Sequence, residues 1–318
     1  MNQGTNIDLA VEELRKGNLV ALPTETVYGL AANATDEQSV TKIFAAKRRP
    51  FFDPLIVHFK DVESILPFVE SIPEVAYSLF AKFSPGPLTL LLQKNDRIPG
   101  IVTSGLSSVA VRIPNHPDFQ RVLHHLDFPL AAPSANVFGY ISPTEPAHVV
   151  KQFGDEVAYV LDGGRCEFGL ESTIVDCTLE PVRILRKGAI TAEMLAEVLD
   201  YTPEEAKVSS SQPTAPGNID VHYAPKKPLY VVDAKDLIEP LPANSAVMTF
   251  GKTPKVPGVF YADLSPSAEL FEAAAAFFRT LHQLDEMPSV RQIYTTWFPE
   301  QGLGKALNDK LRRAKSSI

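Results

Sequence analysis

One stretch, Ser209-Ser210-Ser211-Gln212-Pro213-Thr214-Ala215-Pro216-Gly217, divides this chain. Its serine, proline and glycine content is that of a linker. The 318 residues are therefore expected to fold as two units. A single core rarely grows beyond about 250–300 residues, which points the same way. With 45% hydrophobic residues there is apolar material for two cores. Expected boundaries are a first domain over 1–203, a linker over 204–227 and a second domain over 228–318.

Both halves alternate strand-like and helix-like segments, which argues for α/β architecture. In the first half, Asp8 to Lys16 reads as an amphipathic helix stopped by Gly17. Leu19–Leu22 reads as a strand, broken by Pro23-Thr24-Glu25-Thr26 and resumed at Val27–Leu30. Thr35 with Gln38 resembles a capping box. The helix it opens runs to Lys47 or Arg48, and Pro50 ends it. A buried-type strand follows in Leu55-Ile56-Val57-His58-Phe59. Further strands are expected over Leu88–Leu92, Val109–Arg112, Leu130–Ala132, Tyr159–Leu161, Thr173–Asp176 and Val182–Leu185. Helices are expected over Glu74–Lys82, Asp118–Leu126, Pro146–Phe153 and Thr191–Leu199. Past the linker, strands at Leu229–Val232, Ala246–Phe250, Val259–Ala262 and Gln292–Thr296, with helices Ser267–Leu284 and Lys305–Lys315, form a second αβ unit.

Charge and motifs exclude several functions. The net charge is −8, whereas nucleic-acid binders usually present a basic face. The chain has no run of about 18 apolar residues, and Met1-Asn2-Gln3-Gly4 opens no secretory signal. Cys166 and Cys177 are the two cysteines. They match no zinc spacing, and a reducing cytoplasm is the simplest setting. P-loop, G-x-G-x-x-G, H-E-x-x-H and G-x-S-x-G patterns are all missing. A bound nucleotide would then be held by side-chain cations.

The cations have two readings. Lys47, Arg48 and Arg49 complement a helix dipole, or they hold an anion at the start of the next strand. Ser134 and Asn136, after an apolar strand, either cap a turn or face a ligand. Arg112, Arg183 and Arg186 lie in or beside strands. Arg186 precedes Gly188, which would permit close ligand approach. His58 fits a core histidine or a ligand. His222-Tyr223 falls in the linker, where an aromatic residue suits a lid.

Taken together, certain runs resemble the threonylcarbamoyl-AMP synthase family, also called YrdC-like. They are Pro23-Thr24-Glu25-Thr26-Val27-Tyr28-Gly29-Leu30, Lys47-Arg48-Arg49-Pro50 and Pro54-Leu55-Ile56-Val57-His58. Others are Phe83-Ser84-Pro85-Gly86-Pro87-Leu88-Thr89, Val109-Ala110-Val111-Arg112-Ile113-Pro114, Pro133-Ser134-Ala135-Asn136, Glu171-Ser172-Thr173-Ile174-Val175-Asp176 and Ile184-Leu185-Arg186-Lys187-Gly188. They follow the family's order. Ala215-Pro216-Gly217, His222-Tyr223-Ala224-Pro225, Gly302-Leu303-Gly304 and Leu311-Arg312-Arg313-Ala314 resemble its long two-domain form. Two departures stand out. Asn218-Ile219-Asp220-Val221 replaces the Met-Lys-Tyr-Arg of many relatives, and Asp53 replaces Asn.

The resemblance implies a twisted mixed sheet with helices on its faces, plus a smaller Rossmann-like α/β domain. It implies an enzyme that joins L-threonine, bicarbonate and ATP, with Mg2+ carried by the ATP and none held by the protein alone. The product would pass to a downstream tRNA threonylcarbamoyl transferase. Lys47, Arg49, Ser134 and Asn136 would be the functional quartet. Asp53, Ser108, Thr144, Arg186 and Tyr223, with Arg49 and Asn136, would bind ATP. Thr26, His58, Arg112, Ser134 and Ser172 would bind threonine. Alanine at Lys47 or Arg49 is expected to abolish turnover and spare the fold. A related hydrogenase-maturation carbamoyltransferase carries acylphosphatase and zinc-finger modules, neither of which is visible here.

Overall fold

The computed structural model describes residues 2–206, 222–234, 237, 241–252, 255 and 257–316. Most of the expected linker, including the Ala215-Pro216-Gly217 and Asn218–Val221 segments, lies outside the described residues. Its first half opens with β1 (Asn2–Gly4), α1 (Ile7–Arg15), β2 (Val20–Leu22), β3 (Gly29–Asn33), α2 (Glu37–Lys47) and β4 (Ile56–His58). Then come α3 (Glu74–Phe83), β5 (Leu88–Gln93), β6 (Ser108–Arg112), α4 (Pro117–His125), β7 (Leu130–Ala131) and α5 (Pro146–Phe153). It closes with β8 (Tyr159–Leu161), β9 (Thr173–Asp176), β10 (Arg183–Arg186), α6 (Ala192–Leu199) and β11 (Glu204–Glu205). The second half holds β12 (Leu229–Val231), β13 (Ser245–Thr249), β14 (Phe260–Asp263), α7 (Leu270–Glu286), β15 (Gln292–Thr295) and α8 (Leu303–Ala314).

Among the described residues the strands form two sheets. The large one is mixed and runs β1-β8-β2-β3-β7-β4-β6-β5-β9-β10-β11; the small one is parallel, β12-β15-β13-β14. The α/β expectation holds, with the large sheet first and the compact parallel unit second. The large sheet reaches Glu204–Glu205, which pair with Arg183–Ile184.

Strand alternation gives the large sheet two unlike faces. Val57, Leu90, Val109, Val111 and Val175 point into the main core, with residues of α2, α3, α5 and α6. On the opposite face, α1 and α4 cover the strands near β2 through Ala10, Leu14, Phe119 and Val122. Further along that face the apolar cover shrinks to Ile56, Leu91, Ala110, Ile174 and Leu185. His58 and Arg112 follow the same alternation as Ile56 and Ala110, so they share this thinly covered side.

Local chemistry sets the boundaries. Asn6 caps α1 by accepting from Leu9 N at 3.1 Å. The expected capping box at Thr35 is replaced by Asp36, whose carboxylate accepts from Gln38 N and Ser39 N. Thr35 instead donates to Asn33 Oδ1 at 2.8 Å, and aspartate is the stronger cap here because it also favours the positive end of the helix dipole. The resumed strand begins at Gly29, not Val27. Before it, Thr24 Oγ1 accepts from Thr26 N and Val27 N, and this polar turn delays the ladder.

The second domain lies against the thinly covered side. Tyr223 and Val27, Ile141 and Leu170 of the first domain join one apolar cluster with Phe277, Phe278 and Leu281 of α7. Polar contacts lock the halves. Tyr140 Oη donates to Asp285 Oδ2 at 2.5 Å, Lys310 Nζ to Lys187 O at 3.1 Å and Lys305 Nζ to Glu193 Oε1 at 2.8 Å. Gly188 has a different use from the one expected. A Cβ there would sit 2.3 Å from Glu171 O and 2.4 Å from Ser172 C, so the glycine admits the neighbouring backbone rather than a ligand. Replacing it should push the 171–172 segment aside, at about 1–3 kcal/mol for overpacking. Gly188→Ala is therefore expected to lower the urea midpoint clearly. An unchanged midpoint would show that this crossing is loose.

Candidate active site

The Lys47-Arg48-Arg49-Pro50 run is a helix exit. Arg48 adopts the left-handed conformation, with φ of 53°, and Arg49 N donates back to Phe44 O at 2.9 Å. This reversal leaves Arg48 exposed and turns Lys47 and Arg49 inward. Lys47 is 1% exposed, and its Nζ donates to Ser134 O and Asn136 O, each at 2.5 Å. The ammonium thus ties down the Ser134-Ala135-Asn136 loop after β7. Burial, then the neighbouring Arg49 charge, pushes its pKa well down, while Asp53 works the other way. Arg49 donates to Asp53 O and Pro54 O, and its Nη2 lies 2.8 Å from Asp53 Oδ2. The carboxylate expected to alter this position is the arginine's counterion.

Arg112 ends β6 beside His58, its register partner on β4. Its Nη2 donates to Glu25 Oε1 at 2.6 Å and Thr26 Oγ1 at 2.9 Å. Glu25 Oε2 accepts from Asn115 N at 3.0 Å, so both carboxylate oxygens are occupied. Arg186, at the end of β10, donates through Nε and Nη2 to Ser172 O and through Nη2 to Ser172 Oγ. Thr89 Oγ1 lies 2.7 Å from the same Ser172 hydroxyl. Three strands, β5, β6 and β10, thereby bring Thr89, Arg112 and Arg186 toward the Thr26 turn and Ser172.

These groups surround one cavity of about 530 Å³ of atom-free space, its mouth included. Eight of the expected site residues line it: Thr26, Arg49, His58, Arg112, Ser134, Ser172, Arg186 and Tyr223. The other expected residues do not. Lys47 and Asp53 lie behind it as supports. Asn136 Nδ2 bonds Val137 O and Tyr140 O while its Oδ1 is buried without a hydrogen bond. Thr144 is buried with an unpartnered hydroxyl. Ser108 shares Arg112's side of β6 but stands four residues back, about 13 Å along the strand. Tyr223 is fully buried, with φ of 66°, and its ring packs 5.4 Å from Phe278.

Buried polar atoms are nearly always hydrogen-bonded. Around this cavity four are not: His58 Nδ1, Glu171 Oε2, His222 Nδ1 and Tyr223 Oη. Such a gathering marks a place for a polar ligand. Among the described residues three guanidiniums and a single carboxylate line it, so the ligand should be anionic. Among the described residues no group of three or more His, Cys, Asp or Glu side chains is placed to hold a metal. Also among them, no helix is long and apolar enough to cross a membrane.

Known proteins share this fold. The Sua5/YciO/YrdC model, described as "Telomere recombination", matches residues 12–188. A second model, "Threonylcarbamoyl-AMP synthase, C-terminal domain", matches 190–316. The chain belongs to the Sua5/YciO/YrdC family. It has the two-domain form of that family. The threonylcarbamoyl-AMP synthase of Pyrococcus abyssi is 37% identical across 97% of this chain and 93% of its own. That of Bacillus subtilis is 36% identical across 95% and 90%. The structure of P. abyssi Sua5 complexed with L-threonine superposes with a TM-score of 0.88, at 35% identity, covering 99% of this chain and 96% of that one.

The structure adds residues to the cavity and its supports. Glu25 lies within a motif, and its place as the counterion of Arg112 shows only in the fold. Glu171 lines the cavity, with Oε1 accepting from Ser142 Oγ at 2.6 Å. Lys310, from α8, is fully buried with its Nζ 3.7 Å from Glu171 Oε2 and 5.0 Å from the Tyr223 ring. A polar lysine on the inward face of α8 was the available signal.

Several histidines are buried uncharged. Burial, then Arg112, pushes His58 down to about 3. His148 and His282 stack across the domain boundary, ring centres 3.8 Å apart, at about 4 and about 3, each chiefly through burial. Below pH 6.5 the unfolded chain binds protons that these folded imidazoles refuse. Their stabilisation is therefore complete above about pH 6.5 and is lost as pH falls toward 3. Each histidine contributes a slope of up to about 1.4 kcal/mol per pH unit. Urea unfolding at pH 7, 6 and 5 should show stability dropping steeply over that window. Equal stability at the three pH values would contradict the buried neutral assignment.

Proposed function

We propose that this chain is an L-threonylcarbamoyladenylate synthase, a nucleotidyltransferase that joins L-threonine, bicarbonate and ATP and releases pyrophosphate. Its product would feed threonylcarbamoyl modification of the tRNA adenosine next to the anticodon, through a downstream transferase. The observation that carries this reading is the convergence of Arg49, Arg112 and Arg186 on one cavity with, among the described residues, a single lining carboxylate, in a chain so similar to a threonine-bound Sua5.

The chemistry requires little covalent help. A carbamate oxygen attacks the α-phosphorus of ATP, and positioning with charge neutralisation supplies most of the rate. Arg49 and Arg186 would face the triphosphate, in a low-dielectric site where fixed charge acts strongly. Nη2 and Nε of Arg112 are engaged by Glu25, Thr26 and Gly86, which leaves Nη1 for a carboxylate such as threonine's. Thr26, His58 and Ser172 would complete the amino-acid pocket. Ser134 and Asn136, held by Lys47, would orient the carbamate and nucleotide. Tyr223 would close over the nucleotide, with Ser108 and Thr144 as outer contacts. Among the described residues the lining carries no carboxylate cluster, and Mg2+ would enter on the phosphates and offset their charge.

The decisive test is pyrophosphate release with ATP, labelled bicarbonate and each amino acid. Release that needs both threonine and bicarbonate, with a labelled acyl-adenylate, is expected; release without threonine would refute the reading. Arg112→Lys keeps the charge but loses the fork, and the threonine KM should rise on the order of tenfold or more. An unchanged KM would remove Arg112 from the pocket.

Arg49 needs a different variant from plain alanine. Removing it breaks the buried Arg49–Asp53 pair, and breaking a buried pair costs about 3–5 kcal/mol. Arg49→Ala should therefore lose stability as well as activity, against the expectation of an intact fold. Arg49→Ala combined with Asp53→Ala should regain most of the lost stability and stay inactive. Activity returning in that double variant would place Arg49 outside the chemistry.

A further inference from the structure

The proposed reaction leaves one proton without a destination, and the inference made here rests on that reading. Threonine arrives as an ammonium ion, and its nitrogen has no lone pair for carbon until a proton is removed. We propose that Glu171 is the catalytic base that accepts this proton.

Glu171 supplies the one carboxylate in the cavity lining among the described residues. It is 6% exposed and immediately precedes Ser172, a residue of the expected threonine pocket. Its two oxygens are treated differently. Oε1 accepts from Ser142 Oγ at 2.6 Å, which fixes the plane of the group. Oε2 accepts no hydrogen bond, and Lys310 Nζ lies 3.7 Å away, too far for one. An oriented carboxylate with one open oxygen is what a general base requires.

The other candidates are committed elsewhere. Glu25 has both oxygens bonded, to Arg112 and to Asn115 N. Asp53 is paired with Arg49 and does not line the cavity. The cavity's histidines, His58 and His222, are pushed down chiefly by burial, so they are poor proton acceptors at neutral pH. The Tyr223 hydroxyl is pushed up by burial and keeps its proton. Lys47 already spends its ammonium hydrogens on two carbonyls.

The step balances. An N–H bond of the ammonium breaks and an Oε2–H bond forms on Glu171. The freed amine attacks the bicarbonate carbon; a C–N bond forms, and the departing hydroxide leaves as water with a second amine proton. The carbamate then displaces pyrophosphate from ATP. Glu171 returns its proton to solvent when product departs.

The test is the pH profile of threonine-dependent pyrophosphate release in Glu171→Gln, which keeps the shape and an oxygen for Ser142. At pH 7 kcat/KM for threonine should fall about 100-fold or more, the usual share of a general base. It should then climb about tenfold per pH unit toward pH 9, as free amine replaces the missing base. Threonine affinity, read by calorimetry, should change little. A variant with the wild-type profile, or one equally depressed at every pH, would overturn the assignment. If Glu171→Gln does not fold, Glu171→Asp serves instead. It should keep the wild-type profile at reduced rate, and a tenfold-per-unit climb in it would also overturn the assignment. Wild-type protein that releases no pyrophosphate with threonine would instead defeat the functional reading itself.

Discussion

Burying positive charge in the middle of a sheet face is the constraint around which this molecule is arranged. Lys47, Arg49, Arg112 and Arg186 are each at most 7% exposed. Such groups are expensive to desolvate and stay charged in place when hydrogen bonds and counterions surround them. The fold supplies these from every side. Arg49 has Asp53, Arg112 has Glu25, Arg186 has Ser172, and Lys47 has two carbonyls. Each support comes from a loop or strand end, so the polar turns between strands are as necessary as the strands.

The same constraint explains the unlike faces of the large sheet. One face is closed by apolar helices and carries the stability. The other gives up apolar cover where the cations gather, and the second domain closes what remains. Lys310 shows how close that closure is. Its ammonium reaches from α8 across the boundary to Lys187 O and to the vicinity of Glu171.

Periodicity made most elements legible. The strands from Leu88 to Leu185 lie within about a residue or two of expectation, because alternating and continuous apolar runs report burial directly. Failures occurred where side chains compete with the backbone. Asp36 displaced Thr35 as a cap, and the Thr24 turn delayed β3. In the site, motif resemblance found the lining cations and hydroxyls, but not their partners. No spacing rule links Glu25 to Arg112, or Lys310 to Glu171, since each pair meets only after folding. Gly188 carried an honest signal, close approach, assigned to the wrong neighbour.

Tyr223 lines the cavity from beyond the Ser-Pro segment, with Lys310 behind its ring. An acyl-adenylate is a mixed anhydride, and any stray water shortens its survival. A chamber roofed by a side chain that packs in the second domain's apolar cluster sets an apolar surface between the cations and bulk water.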